Sequence, residues 1–455
     1  MINLEEKAYS SIPRILVKPP GPKVKSLVEE ELKYYAPGYS GIYYKIPMAF
    51  DEAKGAIVKD LDGNIYIDFT SGVLVCSPGH SHPKVVNAIK NQVEKLQNIY
   101  PFCTEARLRL LKKLSEILPK NLKRMFFMSG GAEALEHAMK LAKAYTKKYE
   151  FISFFGGFHG KSHGALSLSC LPGSRKGFGP LLYGFLHAPY AYCYRCSFGL
   201  EYPSCNLNCV RFLEDLVQYQ STGIIAGLVI EPIQVAFGSV VPPKEFIVEV
   251  AKFCKEQGIL LMVDEISTGL GRTGKLWGIE HYGVQPDIMT LGKAIGGGIP
   301  ISVVAAKEEI VNAELWARPY ASSTTFGGNP IACAAASAAI EAILEENLIE
   351  NAAKVGEAML KRLKEMKEEH ELIGDVRGVG LLAGIELVED RKSKKPAIKE
   401  TELVLRKALE KGLLIHSAGF ENVLRIVPPL CISIELMEKG LEIISEAIKE
   451  VEKSI

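Results

Sequence analysis

Two acids and a lysine stand where apolar runs end. Leu260, Leu261, Met262 and Val263 have the continuous apolar pattern of a strand buried on both faces, and the run stops at Asp264 and Glu265. Acids at the carboxyl end of such a strand are expected to serve a ligand. A second short run, 288–291, leads into Gly292 and Lys293, and the glycines at 296, 297 and 298 leave that lysine without side-chain walls on one side. Alone, Asp264 would be a turn cap and Lys293 a solvated loop residue. Together they are the pair that pyridoxal 5'-phosphate requires: the lysine forms the Schiff base, and the acid holds the pyridine nitrogen protonated so that the ring becomes an electron sink.

The surrounding sequence gives the pair a context. The stretches DEISTGLGRTGKLWGIEHYGVQPDI from Asp264, LGKAIGGGIP from Leu291 and STTFGGNP from Ser323 resemble the class III (subgroup II) aminotransferases of fold type I, and the resemblance runs over nearly the whole chain. That family includes ornithine and 4-aminobutyrate aminotransferases together with a few amino-acid racemases and epimerases. The resemblance implies an α/β protein: a large domain with a mostly parallel central sheet flanked by helices, and a smaller α+β domain drawn from both chain ends. The expected division is an arm and part of the small domain at 1–75, a cofactor-binding domain at 76–334 and the rest of the small domain at 335–455. The implied reaction is amino-group transfer between an amino acid and a 2-oxo acid. Racemisation or epimerisation of an amino acid is the alternative, because Lys293 and Asp264 would serve both.

Other residues fall into place around this chemistry. FFMSGGAEALEHAMKLAKAY reads as a strand, a Ser-Gly-Gly turn and a helix, and a helix N-terminus preceded by glycines offers free N–H groups to an anion. Gly130 and Gly131 are therefore expected at the cofactor phosphate. Phe158, in Phe158-His159-Gly160, is a flat ring able to stack on the pyridine, with His159 as a support. The resemblance assigns Glu231 of VIEPIQ a place near the cofactor and makes Thr325 a second phosphate contact supplied by the neighbouring subunit, so that the active unit is a homodimer or larger. It makes Arg425, in NVLRIVPPL, the binder of a substrate carboxylate, a role that suits the bidentate guanidinium fork.

The chain departs from the family pattern in two places. Many members that alternate between two substrate types read EPIQGEGG, where the second glutamate covers and releases the arginine; here the stretch is EPIQVAFG, and Ala236 stands at that position. Arg425 should then stay available to every carboxylate, which favours α-amino acids over ω-amines. Ser267 stands where a glutamine commonly reaches the ring hydroxyl, so that contact is expected to be lost or bridged by water. Separately, Cys193, Cys196, Cys205 and Cys209 have spacings compatible with a four-cysteine zinc site, with disulfides, or with an uncommitted excursion near the active site.

The elements that must hold these residues are legible from pattern. Apolar runs at 125–128, 151–154, 225–230, 259–263 and 288–291 alternate with helical stretches, which argues for a mostly parallel sheet with its ligand beyond the strand carboxyl ends. On that reading Ser129, Phe158, Glu231, Asp264 and Lys293 share one rim. AIVKDLDGNIYIDF alternates around Asp62-Gly63 as a hairpin, a helix starts at Pro83, residues 1–50 form an arm with one helix at 23–33, and 389–395 is a solvated loop. The chain has 455 residues, 47% of them hydrophobic, with a formal net charge of +1. That balance gives no electrostatic case for nucleic acid or a membrane surface, so a small-molecule substrate is expected. The absence of a long apolar run, and ten mostly scattered cysteines, point to a cytoplasmic protein. Seven glutamines beside abundant Lys and Glu hint at a thermophilic source.

Overall fold

The computed structural model describes residues 12–36, 38 and 46–455. Much of the expected arm therefore lies outside the described residues; its helix, α1, runs Pro22–Glu31. The chain divides into two units, Met1–His82 with Glu350–Ile455, and Pro83–Ile349.

In the first unit, β1 (Phe50–Lys54), β2 (Ile57–Asp60) and β3 (Ile65–Asp68) form an antiparallel meander. The hairpin predicted around Asp62-Gly63 joins β2 to β3, and Gly63 supplies the positive φ of +89° that this turn needs. Asp60 fixes the turn from within, because its carboxylate accepts from the Asn64 amide, the Asn64 side chain and the Tyr66 hydroxyl.

The second unit is built on a seven-stranded sheet. In chain order its elements are α2 (Pro83–Val93), α3 (Glu105–Ile117), β4 (Arg124–Met128), α4 (Gly131–Thr146), β5 (Glu150–Phe154), α5 (His163–Leu168), β6 (Phe185–Ala188) and α6 (Asn208–Gln220). There follow β7 (Ile225–Ile230), α7 (Lys244–Gln257), β8 (Leu260–Asp264), β9 (Ile288–Leu291), β10 (Ser302–Ala306) and α8 (Pro330–Glu345). The strand order is β4-β10-β9-β8-β7-β5-β6. The pairs from β9 through β8, β7 and β5 to β6 are parallel, whereas β10 runs antiparallel to both β9 and β4. Two strands, β6 and β10, escaped the pattern reading: FLHA is short and half-buried, and SVVAA is mostly small residues.

The core of this unit explains why the sheet is continuous. Leu135, Ala138, Met139 and Ala142 on one face of α4 bury against Met128, Phe151, Val229, Met262 and Ile288. Each fully buried Leu, Met, Val, Ile or Phe among them contributes roughly 1.5–3 kcal/mol. Helix α8, capped by the Asn329 side chain on the Ala332 amide, packs on α2, on α3 and on the short turn at Lys293–Gly296. Gly297 sits at φ +55°, and an added Cβ there would lie 2.9 Å from Ala339 of α8. One of the three glycines after Lys293 is thus required by helix packing as well as by the open space next to the lysine.

The rest of the first unit comprises α9 (Leu348–Glu369), β11 (Ile373–Gly378), β12 (Ala383–Asp390), β13 (Lys395–Pro396), α10 (Ile398–Glu410), β14 (Leu413–Leu414), β15 (His416–Ala418), β16 (Val423–Ile426) and α11 (Ile434–Glu452). Strands β11, β12, β16 and β15 form an antiparallel sheet, and β14 pairs parallel to β3, which joins the two chain ends. The stretch 389–395 differs from the expected loop: Asp390 pairs with Lys395, and Val388 with Pro396, so it is a tight turn at the end of β12. No helix among the described residues is long and apolar enough to cross a membrane.

Candidate active site

The carboxyl ends of β4, β5, β7, β8 and β9 carry the side chains singled out in the second unit. Asp264 is the last residue of β8 and pairs with Thr290 of β9, three positions ahead of Lys293. Its carboxylate is 4% exposed. One oxygen accepts from the Ile266 amide at 3.0 Å and the Thr290 hydroxyl at 3.4 Å, and the other is 2.8 Å from Nδ1 of His159. His159 is itself fixed, since its amide donates to Ser169 Oγ at 2.8 Å. Burial opposes a charge on this imidazole, but the hydrogen bond and charge of Asp264, with Glu231 nearby, hold its pKa above the ordinary range.

Glu231 follows β7 and is 5% exposed. It accepts the Phe158 amide at 3.0 Å and so ties the Gly156-Gly157-Phe158 loop to the end of β7. Burial pushes its pKa up to about 7, with Asp264 adding and with His159, the Phe158 amide and Lys293 opposing. Two tyrosines hold the chain just beyond it: Tyr190 donates to the carbonyl of Glu231 at 3.0 Å, and Tyr282 to that of Pro232 at 2.9 Å. Neither tyrosine follows from periodicity or motif, because each is a lone residue in a loop.

Lys293 opens the short turn after β9 with φ +45°, an uncommon backbone for a lysine. Its amine donates to the hydroxyl of Ser267. The serine that is too short for the role expected of a glutamine is therefore a direct partner of the lysine. Glu265, next to Asp264, turns away from this chemistry. Its carboxylate accepts the Thr268 hydroxyl, the Gly278 amide at 3.0 Å and the Ile279 amide at 2.7 Å, and burial pushes its pKa up to about 7. Successive residues of a strand face opposite sides, so of the two terminal acids only Asp264 joins His159, and Glu265 holds backbone.

The turn between β4 and α4 is open at Gly130. Gly130 caps α4 with extended backbone, and nothing lies within 4 Å of where its Cβ would be. At Gly131 a Cβ would meet Ile266 at 3.0 Å. The Ser129 amide donates to Glu133 of the first turn at 2.8 Å, and Ser302 at the start of β10 donates to the Gly130 carbonyl at 2.8 Å. Open space in front of unpaired helix N–H groups suits a phosphate. On the other side, Gly156 has φ +79°, and a Cβ there would come 2.2 Å from the Phe237 ring. Ala236 is the half-buried residue of the otherwise buried stretch 231–240, which is closed by a Gln234–Val240 bridge. Thr325 is exposed on the loop ahead of α8, where its carbonyl accepts from Asn98 at 3.2 Å.

Arg425 belongs to the other unit, on β16, opposite Gly384 and His416. It is 8% exposed, and its Nε has no hydrogen-bond partner. Among the described residues it makes no ion pair. Burial alone lowers its pKa to about 10. Burial, with the Arg425 charge next, lowers His416 to about 4, so that histidine stays neutral beside the guanidinium.

The groups present fit pyridoxal phosphate. A lysine amine and a buried carboxylate backed by histidine stand at the ends of adjacent strands, and the glycine-led N-terminus of α4 leaves open space in which backbone N–H groups could hold an anion.

Comparison with known proteins gives a consistent result. A family model described as "Aminotransferase class-III" matches residues 39–448. The chain is 42% identical to the leucine/methionine racemase of Thermococcus litoralis, over 93% of this chain and 96% of the relative. It is 39% identical to the alanine/serine racemase of Pyrococcus horikoshii, over 96% and 93% respectively. Among solved structures, a Bacillus anthracis aminotransferase superposes with a TM-score of 0.87 at 32% identity, covering 94% of this chain and 99% of that one.

Proposed function

We propose, from the premise that this chain belongs to the class-III aminotransferases, a pyridoxal-phosphate-dependent family of fold type I, that it moves an amino group between an α-amino acid and a 2-oxo acid. The observation that carries this reading is the register of β8 against β9, which sets the Asp264–His159 pair on the strand next to Lys293. Pyridoxal phosphate, when bound, supplies the electron sink that lets an amino acid lose its Cα proton.

Each residue then has a task. Lys293 is the covalent anchor and, once released, the amine that carries a proton between substrate Cα and the cofactor carbon. Ser267, in contact with that amine, orients it. Asp264 would face the pyridine nitrogen, and His159 keeps its carboxylate turned through the 2.8 Å contact. Gly130 and Gly131 give backbone N–H groups to the phosphate, Phe158 covers the ring, and Glu231 positions the Phe158 loop. Arg425 takes the substrate carboxylate: a buried guanidinium with no ion pair among the described residues is in want of an anion. With Ala236 flanked by Val235 and Phe237, the stretch 235–237 carries no acid. The preferred substrates are α-amino acids with apolar side chains.

The active unit is a homodimer in which Thr325 serves the partner's phosphate site. In support, Tyr320 and Phe326, which flank Thr325 in sequence, are 97% and 64% exposed, and Phe102 is 67% exposed. Its ten free cysteines suit a reducing, cytoplasmic location.

One observation favours a second reading, racemisation of an α-amino acid, in which the proton returns to either face of Cα. The two relatives at 42% and 39% identity are racemases of leucine or methionine and of alanine or serine. Incubation with single L-amino acids, with and without 2-oxoglutarate, separates the two. Transamination gives oxo acid beyond one equivalent per site only when 2-oxoglutarate is added. Loss of optical rotation without acceptor and without oxo acid would replace the first reading by the second.

A further inference from the structure

Residues 189–209 leave the sheet after β6 and return as α6, and they carry four cysteines in two close pairs, Cys193 with Cys196 and Cys205 with Cys209. All four line one hollow of about 20 Å³, together with Tyr192 and Tyr202. A space of that size holds one water-sized occupant, so the two pairs border the same small hollow. All are free; Cys193 is exposed and the others are half-buried. Burial, then the charges of Cys205 and Cys196, raise the Cys193 pKa, and burial pushes Cys209 to about 12. Among the described residues no three His, Cys, Asp or Glu side chains are gathered to hold a metal ion.

This excursion also supports the cofactor loops. Tyr190 at its start donates to the Glu231 and Pro232 carbonyls at 3.0 and 3.2 Å. The Tyr192 ring meets Phe237 edge-on at 5.6 Å, and Phe237 fills the space that Gly156 leaves next to Phe158. A change of shape at 193–205 therefore has a short packed path to Glu231 and Phe158.

We propose that Cys193 and Cys205 are a reversible thiol–disulfide pair, a modification site on the support of the cofactor loops, with a low-molecular-weight disulfide as oxidant. The exposed Cys193 thiolate attacks one sulfur of oxidised glutathione, expels one glutathione thiolate and forms a mixed disulfide. Cys205, after losing its proton to solvent, attacks the Cys193 sulfur and expels the second glutathione. Two protein thiols are oxidised, one disulfide is reduced to two thiols, and each expelled thiolate takes up a proton. Because the Cys193 thiol titrates above its ordinary range, the first step quickens as pH rises toward that value.

The test incubates reduced holoenzyme with oxidised glutathione across a pH series, followed by intact mass, peptide mapping and kcat/KM. The expected result is loss of two hydrogens per chain and a crosslinked peptide containing Cys193 and Cys205, formed faster at higher pH. With it comes a fall in kcat/KM that dithiothreitol restores. Cys205→Ser should stop at one glutathione adduct on Cys193, and Cys196→Ser should still close. A wild-type protein that halts at a single adduct, or crosslinks another pair, overturns the assignment. So does one zinc ion per chain with thiols silent to a chromogenic disulfide until a chelator is added. Unchanged kcat/KM in fully oxidised protein removes the link to the cofactor loops.

Discussion

Replacing Arg425 by methionine should change activity and stability in opposite directions. Burial lowers the guanidinium from 12.5 to about 10, and that difference amounts to on the order of 3 kcal/mol. The group is protonated in both the folded and the unfolded chain at pH 7, below either value, so the folded protein carries the whole penalty at neutral pH and sheds it only as pH rises from 10 toward 12.5. Methionine removes the charge while keeping most of the volume, so apo protein should gain about 1–3 kcal/mol, as replacement of buried charges by apolar groups often gives. The same change takes a charge-assisted contact from any α-carboxylate, worth about 1.5–3 kcal/mol, or roughly 10- to 150-fold in kcat/KM for L-leucine. A simple amine without a carboxylate should lose nothing. Urea unfolding of apo protein, and steady-state rates with the two amino donors, measure both arms. Unaltered kcat/KM for L-leucine would falsify the assignment of Arg425 to the carboxylate, and an apo protein made less stable would mean that the guanidinium already has a partner.

Three further outcomes follow from named contacts. Asp264→Asn should weaken cofactor binding and slow Cα proton loss by about 10²-fold or more, read by fluorescence titration and by isotope exchange at Cα; wild-type values would take Asp264 off the ring nitrogen. Mixing a Thr325→Ala chain with a Lys293→Ala chain should restore roughly one intact site per mixed dimer, and no recovery in verified heterodimers would put both residues in one site of the same chain. His80 bonds Asp68 at 2.7 Å. Burial works against its charge, yet the Asp68 bond and charge, with the Cys76 thiol, raise it to about 10. Its stabilisation, on the order of 4 kcal/mol, is complete below pH 6.5 and disappears as pH climbs from 6.5 to 10. His80→Gln should flatten that slope in urea midpoints, and an unchanged slope would exclude the pair as its source.

What the sequence disclosed depended on how a residue acts. Asp264 and Lys293 were legible because buried strands are apolar to their last residue, so a polar group at the end stands out. Gly130 and Gly131 were legible because a glycine pair between a strand and a helix has few other uses. Strand β10 was hidden because only Val303 and Val304 of its five residues carry a β signal, and its reversed direction depends on neighbours far away in sequence. The Asp264–His159 bond spans 105 residues and the Tyr190–Glu231 bond 41. No local pattern encodes such pairings. The sequence groups Glu265 with Asp264 as serving a ligand, and only their partners, His159 for Asp264 and the Gly278 and Ile279 amides for Glu265, separate the two.

The Glu265 clasp has a consequence for how this region opens. Its carboxylate joins the end of the central strand to the amides of Gly278 and Ile279, 13 and 14 residues further on. The intervening loop carries no regular strand or long helix of its own. A segment of that kind would ordinarily exchange its amide hydrogens through small, frequent fluctuations. Here the two amides are held by a buried acid directly after β8, so their exchange should follow the rare openings of the sheet itself, and the loop that begins beside Lys293's partner Ser267 should melt together with the strand rather than before it.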